Sequence, residues 1–194
     1  MRVRFVSSNP AKFREVRSVL RRHGIETVWS NRRLPEPQAD RLEEVVKAKL
    51  AALPPSVGYS LVEDSGLFLD GLGGFPGVYS AYVFRTVGLD GILRLVRGRS
   101  RRAVFRTVAG VRSPMGQWIA FGESRGRIAA RPRGAGGFGY DPIFVPDGSR
   151  RTFAQMSRAE KDERSHRGRA IDAVGRRLAR GARGSAPGRR ANVD

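Results

Sequence analysis

Apolar and polar residues alternate over residues 2–6, which predicts a first strand. The polar run Ser7-Ser8-Asn9 follows, and then Phe13, Val16, Val19 and Leu20 recur at helical spacing. Asn9 suits the N-cap of that helix, with Pro10 in the first helical position where a missing N–H costs nothing. Residues 25–29 predict a second strand, 35–40 a loop, and 42–53 a helix stopped by Pro54-Pro55. A largely apolar strand over 57–62 runs into Glu63-Asp64-Ser65-Gly66, expected to be a turn that presents its acids at the sheet edge. Beyond the glycine-rich residues 71–77, helices are expected over 79–84 and 90–96. A hairpin of strands over 103–111 and 118–128 should turn around Pro114-Met115-Gly116. A short strand at 143–145 precedes Ser157 and Glu160, which form a capping-box pattern ahead of a helix with Ala170, Ile171, Val174 and Leu178 as its buried stripe. Periodicity is lost from Gly181. Residues 1–180 are therefore expected as one domain and 181–194 as a flexible basic tail, and strands alternating with helices around one hairpin give an α/β fold on a mixed sheet.

Composition narrows the chemistry. A chain of 194 residues suits one sizeable core, and the absence of cysteine excludes disulfides, zinc-thiolate sites and thiol nucleophiles. No apolar run approaches membrane-spanning length and the N-terminus turns polar too early for a signal peptide, so a cytoplasmic protein is expected. The formal net charge of +19 points to a polyanionic partner, either nucleic acid or a small phosphorylated ligand, and most of it remains when the C-terminal arginines are set aside. Arginine supplies nearly all of this charge. The few lysines stand out against it, and Lys12, Lys49 and Lys161 mark positions where a compact ammonium serves better than a planar fork.

Four segments can carry chemistry. The amides and Asn9 side chain at the start of the first helix, with Lys12 one turn in, outline a phosphate cradle, although the same residues also make a plain helix cap beside a surface lysine. Glu63 and Asp64 repel each other unless a cation lies between. Magnesium accepts one or two carboxylates together with phosphate oxygens and water, so Asp64 can ligate metal, take a proton from water, or do both; solvated acids in a turn are the alternative. Glu36 and Glu44 can complete a metal or water site. The run Gly136 to Pro142 sets Phe138 and Tyr140 beside Asp141 among glycines, which suits a flat ligand or a simple core plug. Near the last helix lie Lys161, His166 and Arg167, whose fork matches carbonyl or phosphate acceptors.

Ser7 to Lys12 with Glu15, Glu63 to Gly66 with Gly73 to Ser80, Gly137 to Phe144, and Glu160-Lys161 with Ser165-His166-Arg167 together resemble four ordered motifs of the inosine triphosphate pyrophosphatases. Those enzymes hydrolyse non-standard purine nucleoside triphosphates such as ITP, XTP and dITP. The segments around Glu36 and Glu44 are most similar to the archaeal and eukaryotic branches. The resemblance implies an elongated α/β fold of two lobes around a long mixed sheet, a nucleotide cleft between them, and a homodimer. It implies that Ser7, Ser8, Asn9, Pro10, Ala11 and Lys12 meet the phosphates, that Glu36 and Asp64 hold magnesium, and that Asp64 is the catalytic base. Glu44 and Lys49 would line the phosphate region and Ser65 would touch the ligand. Phe138 would stack on the base, with Gly139, Tyr140, Asp141, Lys161, His166 and Arg167 completing recognition of base and phosphate.

This sequence departs from the family pattern at three places. Ser7-Ser8 replaces Thr-Gly, Ala81-Tyr82 stands where relatives carry a basic residue, with Arg85 a possible substitute, and Gln155 replaces a glutamate without an assigned role. Two rival readings are a nucleic-acid-binding protein acting through its charge and a pyrophosphatase for other modified nucleotides. For nucleic acid, weak binding through the basic tail is the most expected.

Overall fold

The computed structural model describes residues 1–54 and 58–184, and among these are seven strands in one mixed sheet and six helices. Strand β1 (Arg2–Val6) leads into helix α1 (Pro10–Arg21), as the cap predicts: Asn9 Oδ1 accepts from the backbone N–H groups of Ala11 and Lys12 at 2.9 and 3.2 Å. Strand β2 (Glu26–Ser30) and the first residues of β3 (Tyr59–Leu69) flank β1 in parallel, the second connection running through α2 (Leu42–Ala51). Strands β5 (Arg102–Ser113) and β6 (Gly116–Ile128) form the expected hairpin around Pro114 and Met115. The sheet order is β2-β1-β3-β5-β6-β7, with β7 spanning Phe144–Pro146. Two-residue β4 (Pro76–Gly77) pairs with the far end of β3. Among the described residues no helix is long and apolar enough to cross a membrane.

Strand parity assigns the core. Odd-numbered Val3, Phe5, Leu61, Ala109 and Val111 face α1 and α6 (His166–Gly184), while even-numbered Val6, Val62 and Val108 face Leu42, Val46 and Leu50 of α2. The long strands β3, β5 and β6 continue into a second lobe, where Leu67, Leu69 and Phe105 pack on Ile92, Val96, Phe144 and Phe153. That lobe holds α3 (Ser80–Thr86) and α4 (Gly88–Leu95). Gln155 also has a place: its Oε1 accepts from the Thr152 backbone N–H at 3.0 Å, closing a capping box on the 3-10 turn Phe153–Gln155.

Three expectations change. Glu63-Asp64-Ser65-Gly66 is not a turn; β3 runs unbroken through it, paired antiparallel with residues 106–109 of β5. Gly66 is there for close approach, since a Cβ at this position would collide with the Gly77 carbonyl oxygen of β4. The expected strand start at Val57 lies outside the described residues, with β3 beginning at Tyr59. The single last helix is two. Ser157 caps α5 (Arg158–Arg164), the chain becomes extended at Ser165, and the Ser165 hydroxyl oxygen accepts from the Gly168 N–H at 3.0 Å as α6 begins. Helix α6 then continues through residues 181–184, and the rest of the expected tail lies outside the described residues.

Substituting Gly66→Ala should lower the free energy of unfolding in urea by about 1–3 kcal/mol, because strand and backbone must part to admit the methyl group. An unchanged midpoint would show that the β3–β4 approach is not tight.

Candidate active site

One edge of β3 is open where the lobes meet. Strand β1 pairs with β3 only as far as Leu61 and β4 only from Leu67, so residues 62–66 have no strand partner on that side. Side chains from both faces of the sheet therefore reach one cleft. Its larger chamber, about 530 Å³, has an aromatic wall that includes Tyr79, Tyr82, Phe105, Phe138 and Tyr140, together with Asp64, Ser65, His166 and Arg167. A smaller chamber of about 340 Å³ is lined by Ser7, Ser8, Arg32, Arg33, Lys49 and Glu63. Asn9, Lys12, Glu36, Ala81 and Arg85 line both.

On the α1/α6 face, buried charges alternate in sign along a chain. Lys12 Nζ lies 2.6 Å from Glu63 Oε1, a charge contact that lacks hydrogen-bond alignment. Arg167 donates from Nε to Glu63 at 3.2 Å, from one terminal nitrogen to Glu15 at 2.6 Å and from the other to the Ser65 hydroxyl at 3.0 Å. Lys161 Nζ then donates to Glu15 at 2.6 Å and to Asp141 at 2.5 Å. Three cations offset three carboxylates, which is the condition for keeping such groups out of water. Burial alone would raise the Glu63 carboxyl, but Arg167 and Lys12 hold it far below the usual range; burial acts likewise on Glu15 and is outweighed by Arg167 and Lys161. For Asp141 burial prevails over Lys161, leaving it above its ordinary value.

Asp64 points to the α2 face. Lys49 Nζ donates to Asp64 Oδ1 at 2.6 Å, to Glu36 Oε1 at 2.9 Å and to the Glu63 carbonyl at 3.3 Å. Burial raises the Asp64 carboxyl and the nearby Lys49 and Lys12 only partly reverse it, so Asp64 holds a proton more readily than an ordinary aspartate. Among the described residues no group of three or more acidic, histidine or cysteine side chains converges. Two carboxylate oxygens gathered around one cation, beside a cleft open to phosphate and water, nonetheless fit the donor set magnesium takes.

At the other end, Asp141 Oδ2 accepts from the Phe138 backbone N–H at 2.7 Å and so fixes the glycine loop. Phe138 is half-buried with Lys161 Nζ 5.0 Å and Arg167 Cζ 5.3 Å from its ring centre, hence a cleft wall rather than a core plug. Tyr140 is buried, its hydroxyl donating to the Ser80 carbonyl at 2.9 Å, and Gly139 lines the cleft beside it. His166 stacks on Phe105 at 4.3 Å between ring centres; burial first, then Arg167 and Lys161, push its pKa well down, so the imidazole is neutral.

Not every expected residue enters the cleft. Glu44 is exposed on the first turn of α2 and lines neither chamber, and Pro10 and Ala11 serve the α1 cap. Lys161 sits behind the wall, bound to its acids. Sequence reasoning gave no role to Glu15, Arg32 or Arg33. Glu15 had a visible signal: a carboxylate next to Val16 on the buried stripe of α1 needs a cationic partner.

A Ham1 family model matches residues 3–176. A dITP/XTP pyrophosphatase from Pyrococcus horikoshii is 48% identical over 175 residues, covering 89% of this chain and 94% of that one. One from Methanopyrus kandleri is 47% identical over 175 residues, covering 89% and 93%. In structure the chain is similar to the Staphylococcus aureus Ham1 protein, with a TM-score of 0.76 at 27% identity over 92% of this chain and 99% of the other.

Glu15 makes a pH prediction. Its folded pKa is depressed below the ordinary 4.5, so the stability it contributes is present above that value and is lost as pH falls through the folded one. Glu15→Gln, which leaves Lys161 and Arg167 under-compensated, should cost about 3–5 kcal/mol at pH 7. The gap to wild type in urea unfolding should narrow as pH drops below 4.5; a gap constant from pH 7 to pH 3 would contradict the pairing.

Proposed function

The chain belongs to the Ham1 family, and from that premise we propose that it hydrolyses non-standard purine nucleoside triphosphates (dITP, ITP and XTP) to the monophosphate and pyrophosphate, clearing them from the nucleotide pool. The observation that carries this reading is the placement of Asp64 on the open edge of β3, where it lines an aromatic chamber suited to a purine that adjoins a cationic chamber suited to phosphates. The names of the relatives support the substrate class. We place the activity in residues 1–180. Action on the nucleotide pool favours a cytoplasmic enzyme, and the family resemblance favours a homodimer.

In this reading the purine lies in the larger chamber against Phe138, with Gly139, Tyr140 and Ser65 around it and Lys161 and Asp141 holding the loop from behind. Hypoxanthine and xanthine carry a 6-oxo acceptor where adenine carries an amino donor. Donors from His166, Arg167 or the loop amides pair with the first and confront the second, at a cost of about 1–3 kcal/mol for each unpaired donor. Asn9 and Lys12, at the junction of the chambers, hold the α-phosphate end of the chain, with Ser7 and Ser8 beside them. Asp64 takes a proton from the water that attacks the α-phosphorus, and Lys49 keeps its carboxylate oriented. Magnesium held by Glu36 and Asp64 would neutralise phosphate charge and ease departure of pyrophosphate.

A panel of ITP, XTP, dITP, GTP, ATP and dTTP with magnesium should give pyrophosphate from the first three, and EDTA should abolish it. Asp64→Asn should fold normally and lose about 10²- to 10⁴-fold in kcat on ITP. Orthophosphate as the product, or near wild-type kcat in Asp64→Asn, would overturn this reading.

A further inference from the structure

Helices α1 and α6 lie side by side over one face of the sheet, on the side away from α2, and their exposed charges are nearly all positive. On α1, Arg14, Arg17 and Arg21 recur at helical spacing along the exposed side, with exposed Arg22 at the C-cap; the one acid of that helix, Glu15, is buried. On α6, Arg169, Arg176, Arg177 and Arg180 are exposed against a single acid, Asp172. Asp172 is already taken at the seam between the helices, 2.9 Å from Arg176 and 2.8 Å from His23 Nε2. Arg14, Arg17, Arg21 and Arg22 on one helix and Arg177 and Arg180 on the other therefore have no ion-pair partner among the described residues. None of them lines either chamber of the cleft.

The size and make-up of this surface select its partner. Arg14 to Arg21 spans about 10 Å and packed helices lie about 8–10 Å apart, so the charges cover several phosphates of one polymer rather than a single small anion. A second copy of this chain is a poor occupant, because a two-fold pairing through this face sets arginine against arginine. A lipid surface is also a poor match: among the described residues no large exposed apolar side chain lies on α1 or α6 to enter the acyl region. The aromatic rings nearby are covered. Arg17 Cζ lies 5.3 Å from the centre of the Phe13 ring, which stacks on Trp29, and Arg177 Cζ lies 4.4 Å from that of Trp118. Guanidinium groups on these rings hold their N–H edges for phosphate and leave no free platform on which an unpaired base could stack, which favours a duplex over a single strand.

We propose that the outer face of α1 and α6 binds the phosphate backbone of duplex nucleic acid, without regard to sequence, as a surface separate from the cleft. Such binding needs no triphosphate turnover and stands apart from the activity proposed above.

The test is fluorescence anisotropy of a labelled duplex of about 20 base pairs, titrated with the full chain over a series of salt concentrations. Wild type should bind with a Kd of about 1–100 µM at physiological salt, and log K should fall with log salt at a slope of about −4 to −5. Arg14→Gln/Arg21→Gln/Arg22→Gln/Arg180→Gln should weaken binding about tenfold or more and reduce the slope by about one per arginine removed. Arg94→Gln/Arg97→Gln/Arg102→Gln/Arg127→Gln, which removes the same charge from exposed positions of the second lobe, should bind nearly as wild type does. Thermal unfolding checks each fold, and Arg14→Gln/Arg21→Gln decides if the fourfold variant does not fold. Absence of salt-dependent duplex binding, equal loss in the second-lobe variant, or full loss in Arg189→Gln/Arg190→Gln alone overturns the surface. Tighter binding of a single strand of equal length, or binding to phosphatidylserine vesicles with none to the duplex, overturns the choice of partner. Duplex binding that depends on these arginines, without turnover of any triphosphate, would leave the surface standing and remove the proposed activity.

Discussion

Everything at this site hangs on an alternating line of charge that starts at half-buried Lys12 and continues through buried Glu63, Arg167, Glu15, Lys161 and Asp141, each within 3.2 Å of the next. It crosses α1, β3, α6 and α5 and ends in the loop that carries Phe138. Removing any member leaves a neighbour charged and under-compensated away from water, so the line is more a constraint on geometry than a reserve of stability. It fixes the distance between the Lys12 ammonium and the Phe138 ring. His166 sits beside the line as a neutral group, because adjacent cations and burial both oppose a further positive charge.

The open edge of β3 divides the work. Glu63 and Ser65 face the charge line, while Asp64, on the opposite face, meets Lys49 and Glu36. Adjacent acids in sequence are thereby given opposite proton affinities. Glu63 is stripped of its proton by two cations, and Asp64 is left above its ordinary value because burial outweighs Lys49. Two carboxylates with divergent environments on one strand allow one to be held as a counter-ion and the other to work on a proton. The missing strand partners over residues 62–66 also leave room for a ligand to approach backbone and side chains together.

Much of this was legible in the sequence where the cause is local. The Asn9-Pro10 start of α1, the Ser157–Glu160 capping box and the β5–β6 hairpin depend on neighbours within a few residues, and all three are present. The failures have distant causes. Glu63 to Gly66 read as a turn because acids, serine and glycine are rare inside strands; their partners lie 14 to 104 residues away and their glycine answers to β4. The break at Ser165 was hidden because the stripe of α6 carries the helical period past it. The pairing of Glu15 with Arg167 spans 152 residues, and the convergence of Arg32 and Arg33 with Arg85 depends on how the lobes face each other. Of the site residues, those carried by ordered motifs could be named in advance, but not which of them are bound to one another and which are free for a ligand.

In the proposed reaction, water activated at the β3 edge attacks the α-phosphorus, and a single turnover of ITP in water enriched in oxygen-18, with mass analysis of both products, reports the atom attacked. One heavy oxygen should appear in inosine monophosphate and none in pyrophosphate. Label in pyrophosphate, with none in the nucleotide, would put the attack at the β-phosphorus and contradict the placement of Asp64, Lys12 and the junction of the two chambers.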